Sequence, residues 1–314
     1  MTTEETPSVG LAPWSSRIVT FSVSLLVVTL VLHRFVGLPT PLAINLFVTG
    51  LAGAGVGLLI GLAALTRIWF TGRAGAGAAA VGVLLGLAVL AGPAVSVVTH
   101  LDKPPINDLT TDLTNPPAFA ALAKRPPGAN PATYPGQPFA DLQANAYPDL
   151  RTLVLDRPVE EAFKLVEEVV RRLRWRVVAE EPPMPPAADR ATEPGIIEAT
   201  EQTLMGFTDD IVIRVGGSAT RARIDARSAS RYGRADFGQN ALRLRRLMAE
   251  IRARAEITPT AALVAKQRSH GAAARALIKR QKARDQQKAQ SRNARAHGKS
   301  DVQRAPARRE TPRL

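Results

Sequence analysis

From Arg17 to Thr99 the chain carries, after Arg17 itself, only three charged side chains: Arg34, Arg67 and Arg73. They divide an otherwise apolar block into runs of about 20 residues or more, the length a helix needs to cross the hydrocarbon core of a bilayer. The block therefore reads as three transmembrane helices, near Ile18 to Leu38, Ala43 to Phe70 and Ala76 to Val98. Pro39 and Pro41 mark the first joint, and Arg67, Trp69 and Arg73 mark the second. A cleaved signal peptide fits the first span poorly, because Glu4 and Glu5 dilute a positive amino-terminal region and no small-residue cleavage site follows Leu32.

Gly53, Gly57 and Gly61 recur every fourth residue in the second span, and Ala78, Gly82 and Gly86 repeat the device in the third. Small residues at that spacing let a neighbouring backbone approach closely, within one chain or between two copies in a homodimer. A transport path needs polar groups inside the bundle, and Ser22, Ser24, Thr29, Asn45 and Thr49 are too few to build one. Short loops rich in arginine stay in the cytoplasm. Arg17, Arg67 and Arg73 outweigh Arg34, so the expected topology puts the amino terminus in the cytoplasm and the carboxyl-terminal portion on the extracytoplasmic side of a bacterial inner membrane.

The organisation expected along the chain is an amino-terminal segment (1–17), a three-helix membrane region (18–99), a proline-rich extended connection (100–150), an α+β domain (151–258) and a basic tail (259–314). The last 49 residues hold fifteen Lys and Arg against three acids, a net of +12 out of the chain's +14. That tail is too poor in large apolar residues to fold alone, although Ala261 to about Ala289 has helical propensity. It reads as a solvated extension or as a hook for anionic lipid head groups. Nucleic acid, the third partner such basicity suits, would require a cytoplasmic tail.

There is no cysteine, and the four histidines (His33, His100, His270, His297) all fall outside 102–268, where a folded domain must lie. Thiolate and imidazole metal sites and a Ser-His-Asp relay are therefore out of that domain's reach. No metal or cofactor is expected. Any proton chemistry would rest on carboxylates and tyrosines.

Ten prolines lie between His100 and Leu150, which predicts a turn-rich connection rather than a helix or a central strand. There Asp108 and Asp112 read as turn and capping groups rather than metal ligands. From Arg151 onward the pattern changes. Strands are expected at Thr152 to Asp156, from Trp175, and at Ile196 to Thr203, Asp210 to Val215 and Arg221 to Ser228; helices are expected from Asp156 or Pro158 to near Leu173 and from about Gly238 to Ala255. The fold class is α+β, an antiparallel sheet packed on one side by two helices.

Such a sheet leaves its second face free. Alternation puts Arg223, Asp225 and Arg227 on that face, with Arg214, Asp210, Glu198 and Thr200 on neighbouring strands. This is either a ladder of cross-strand ion pairs on a solvated surface or, with Arg231 and Arg234 just beyond, an arginine face for a carboxylate or phosphate. A third reading makes Asp209, Asp210, Asp225 and Asp236 a carboxylate set for hydrolysis, although adjacent strand residues face opposite ways. Before the last helix, Asp236 is either its N-cap or a neighbour of an anion held on the helix amino terminus.

The segments PPINDLTTD, PPAF, YPG, AYPDL, IEAT, GFTDDIVIRV and DARSASRYGRADFGQNALRLR resemble the bacterial family catalogued as domain of unknown function 1499, over roughly residues 101–255. The resemblance implies an envelope-associated domain and brings no catalytic residue. The positions to examine are Arg214, Asp225, Arg227, Arg231, Arg234, Asp236 and Asn240, then Asp108, Asp112, Glu198, Asp209 and Asp210, with Asn107, Asp112, Ser228 and Ser230 among the shared polar positions. The preferred function is a non-enzymatic binding or scaffold module for an anionic lipid, glycan or envelope protein. A carboxylate-dependent hydrolase of envelope lipid or glycan is the alternative.

Overall fold

The computed structural model describes residues 10–101, 103–184, 193–260, 275–284 and 286. The chain divides into two compact units, Met1–Glu256 and Ile257–Leu314. In the second, residues 275–284 and 286 are helical; the rest of the stretch expected to be helical lies outside the described residues.

Three long apolar helices open the first unit: α1 (Leu11–Val31), prolonged by a π-helical turn (Leu32–Val36), α2 (Thr40–Thr71) and α3 (Ala76–Thr99). Each is long and apolar enough to cross a membrane. The first begins seven residues before the expected Ile18, so that Trp14 and Arg17 lie inside it, the guanidinium 5.8 Å from the indole ring centre. Gly37 and Gly72 stop α1 and α2 at positive φ (89° and 63°), a backbone that only glycine adopts freely. Pro41 starts α2, where its missing N–H costs nothing.

The glycine stripes are filled within the chain. A Cβ on Gly57 would collide with Val19, one on Gly53 with Ser22, and one on Gly61 would lie 2.8 Å from Val83. Ser15 Oγ donates to the Gly57 carbonyl at 2.7 Å, and Gly82 packs on the backbone of Ser15 and Ser16. Close approach of this kind drives helix association where lipid supplies no hydrophobic difference. A second copy meeting Gly53, Gly57 and Gly61 would have to displace α1.

The soluble part is an antiparallel six-stranded sheet: β1 (Asp108–Thr110), β2 (Leu153–Leu155), β3 (Arg176–Glu181), β4 (Gly195–Gln202), β5 (Thr208–Gly217) and β6 (Ala222–Ser230). The order is β1-β6-β5-β4-β3, and β2 shares the outer edge of β6 with β1. Helices α5 (Val159–Arg172) and α6 (Gln239–Ile257) cover one face. Val159, Phe163, Val166 and Val170 of α5 and Leu244, Leu247 and Ile251 of α6 meet Ile197, Ile211, Ile213, Ile224 and Ala226 in the core. Glu160 and Glu161 at the start of α5, with Arg171 and Arg172 at its end, complement the helix dipole.

Two expectations fail together. The stretch 103–150 is not a connection leading away from the membrane: it contributes β1 and the helix α4 (Gln137–Ala146), and buries Ile106, Leu109, Tyr147 and Leu150 in the main core. Nor is the second sheet face free. Phe119 and Leu122 lie on Val212 and Ala229, so the segment 112–135 forms a strap across it. Prolines forbid regular ladders there, but they do not prevent apolar side chains from packing. The strap thereby turns a presumed solvated surface into a buried polar layer.

Candidate functional site

Beneath the strap the polar residues pair densely. Asp108 on β1 and Arg227 on β6 form a bidentate pair, Nε to Oδ1 at 2.8 Å and Nη2 to Oδ2 at 2.7 Å. The Arg227 guanidinium also donates to the Pro117 and Ala132 carbonyls and lies 4.7 Å and 5.3 Å from the ring centres of Phe119 and Tyr134. Burial pushes the Asp108 pKa up, and Arg227 pulls against it. Asp210, fully buried, faces Arg231 through Oδ1 at 2.7 Å and Arg125 through Oδ2 at 3.0 Å. This second contact is an ion pair without hydrogen-bond alignment. Arg125 Nη1 donates to the Asn130 and Pro131 carbonyls, whereas its Nη2 and the Tyr134 hydroxyl are buried without a hydrogen-bond partner. Burial lowers the Arg125 pKa, with Asp210 opposing, and pushes that of Tyr134 up to about 12.

Further along the same face, Arg214 bridges Asp225 (3.1 Å) and Asp112 (3.0 Å), while Thr152 donates to Asp225 at 2.5 Å. Glu198 accepts the backbone N–H groups of Ala120, Ala121 and Leu122 at 2.8 to 2.9 Å, fixing the strap to β4. A cleft of about 420 Å³ lies beside this group, lined in part by Asp112, Thr114, Tyr147, Arg151 and Thr152.

A second polar cluster lies on the α6 side. Asp209 pairs with Arg243 at 2.6 Å, Arg243 also meets Glu201, and the Ser228 hydroxyl joins Asn240 at 2.7 Å and Arg243 at 3.0 Å. Burial raises the Asp209 pKa against Arg243. Burial also works to lower Arg243, but Asp209 and Glu201 more than offset it, leaving its pKa above the ordinary value. Asn240 Nδ2 donates to the Asn107 carbonyl and to Ser230 Oγ. Asp236, three residues before α6 begins, accepts the N–H groups of Gly238 (2.9 Å) and Asn240 (2.6 Å), so its carboxylate caps the start of the helix and occupies amides an anion would have used. Its own pKa is raised by burial, those two N–H groups opposing.

The candidates therefore fall into separate groups. Asp209 and Asp210 face opposite sides of the sheet, Asp225 sits with Arg214, and Asp236 caps a helix; the four form no carboxylate set. Arg214 and Arg227, expected to face a ligand, are held by acids under the strap. Arg231 remains partly open and Arg234 is exposed. Sequence reasoning missed Arg125, Tyr134 and Arg243. Arg243 stands three residues after Asn240 and beside Leu244 on the inward stripe of α6, a position that spacing alone reveals. Arg125 and Tyr134 lie in loops and have no such signal. Among the described residues no three His, Asp or Glu side chains gather as a metal set.

Residues 108–251 match the model of the family described as protein of unknown function (DUF1499), and that segment, β1 through most of α6, is a DUF1499 domain. No curated protein and no solved structure matches the chain.

Proposed function

We propose that this DUF1499 domain is a non-enzymatic binding or scaffold module, held at the outer face of a bacterial inner membrane by its three helices, that captures an anionic group on a lipid, glycan or envelope protein. One observation carries the reading. Under the strap, three guanidiniums (Arg125, Arg227, Arg231) share two carboxylates (Asp108, Asp210), and two buried donors there, Arg125 Nη2 and the Tyr134 hydroxyl, lack an acceptor. A buried cation without full compensation is costly, so an anion that reaches it gains more than one bound to a solvated arginine. Arg231 and the exposed Arg234 mark the entrance, on the turn that Asn130 fastens through the Gly233 carbonyl at 2.9 Å.

Hydrolysis is less well supported, because each candidate carboxylate is engaged by arginine, hydroxyl or backbone donors and none faces another across a cleft. The test uses the full chain in nanodiscs of neutral lipid, with thermal unfolding followed against inorganic phosphate and against a soluble short-chain phosphatidylglycerol. A ligand at about a hundred times its Kd adds about 2.7 kcal/mol of stability. Tyr134→Phe and Arg234→Gln preserve the packing and should each weaken the shift. A wild-type chain stabilised by neither probe would overturn the reading.

A further inference from the structure

We propose that the β4–β5 hairpin tip, Leu204 and Met205, together with Phe237 on the β6–α6 turn, dips into the lipid interface beside the helical anchor, so that the domain contacts the bilayer itself and is not merely tethered to it. The register Asp209↔Ser230 puts both turns at one end of the sheet. That end docks on the helices. Phe207 lies 5.2 Å, ring centre to centre, from His33 of the first span and 6.3 Å from Phe47 of α2. Arg34 donates to Gln202, and a Cβ on Gly206 would lie 2.8 Å from His33 and 3.3 Å from the Arg34 Cα, so the tip's backbone is seated directly on the π-helical turn. At the end of α3, His100 meets Phe237 edge-on at 5.9 Å.

Depth follows from helix geometry. Arg67 marks one interface, and about 20 residues at about 1.5 Å each span the roughly 30 Å hydrocarbon core, which puts the opposite boundary at Phe47. A hairpin touching Phe47 therefore lies at that boundary. Leu204 is 93 % exposed, Met205 46 % and Phe237 45 %, while Phe35 and Val36 on the π-helical turn after α1 are 79 % and 71 % exposed. Large apolar side chains left this open at the level of the lipid interface are covered by lipid, in continuity with the lipid-facing belt of α1. Phe237 also holds φ at +53°, an uncommon conformation for a side chain of its size.

This inference is independent of the anion reading and is tested without anionic lipid. The chain has no cysteine, so Leu204→Cys, Phe237→Cys and Arg223→Cys each place one bimane label on the full-length protein in phosphatidylcholine nanodiscs, Arg223 reporting from the far end of the sheet. Labels at positions 204 and 237 should be quenched by phospholipid carrying a nitroxide near the head group, and should show a several-fold loss of quenching by aqueous iodide relative to position 223. Labels at 204 and 237 that behave like the one at 223 would overturn the proposal. So would labels shielded from both quenchers, since these indicate a protein surface or a second copy as the occupant.

Discussion

Among the described residues Arg227 heads the large side chains held out of water, and its charge is tolerated because Asp108 meets it with two hydrogen bonds, the Pro117 and Ala132 carbonyls accept from it, and the Phe119 and Tyr134 rings lie against it. Removing one partner strands the other. Arg227→Met should therefore destabilise the domain by about 3–5 kcal/mol in a denaturant titration, whereas Arg227→Met combined with Asp108→Leu should recover most of that loss, since an apolar pair of similar volume is often neutral. If the double variant is as unstable as the single one, the charge pair is not what holds the strap. Tyr134 offers a readout at the same place. Its folded pKa is about 12 against 10 for a free tyrosine, because burial disfavours the phenolate. The sign is that of a raised pKa: the contribution is full below pH 10, falls as the unfolded chain ionises first, and is gone above about 12. An alkaline titration at 295 nm should show a late phenolate step that is lost in Tyr134→Phe.

At the scale of elements, the bundle and the sheet make separate demands. Gly82 lies on α3 where a methyl group would meet the Ser15 carbonyl carbon and the Ser16 nitrogen at 3.0 Å, and backbone cannot yield as a side chain does. Gly55 on α2 has open space around it. Gly82→Ala should thus cost about 1–3 kcal/mol by overpacking, and Gly55→Ala should not lower thermal stability in detergent. Equal effects would mean that the α1–α3 contact is not close-packed. These helices were legible because hydrocarbon demands length and absence of charge, and α5, β4, β5 and β6 because alternation or helical spacing survives along them. The strap and α4 were not, since Ile106, Leu109, Phe119, Leu122 and Tyr147 follow no period among ten prolines. That miss also hid the site. Reading β6 alone correctly separates Ala222, Ile224 and Ala226 from Asp225 and Arg227, but polarity was equated with solvent. In fact the second face is polar because β1 brings Asp108 and the strap brings Asp112, Arg125 and the backbone amides that satisfy it.

The first unit has two ends that the spans keep apart. The π-helical turn after α1, the start of α2 and the end of α3 lie with the sheet, through the contacts of His33, Arg34, Phe47 and His100. Arg17, Arg67 and Arg73 belong to the opposite ends of those helices. The proposed outside location of the domain rests on cytoplasmic retention of arginine-rich short loops, a bias of three arginines against Arg34 with Lys103. An alkaline phosphatase fused after Ile257 should be active and a green fluorescent protein at the same point dark. Because the bias is small, it should be reversible. Arg67→Ala with Arg73→Ala removes two of the three retaining charges, and adding Leu38→Lys and Pro39→Lys, which leaves the positive-φ Gly37 in place, raises the count on the other side. The altered chain should then populate both orientations, read as partial phosphatase activity together with partial fluorescence. A parent fusion that fluoresces and lacks phosphatase activity would place the domain in the cytoplasm, and would move its ligand from the envelope to the inner leaflet.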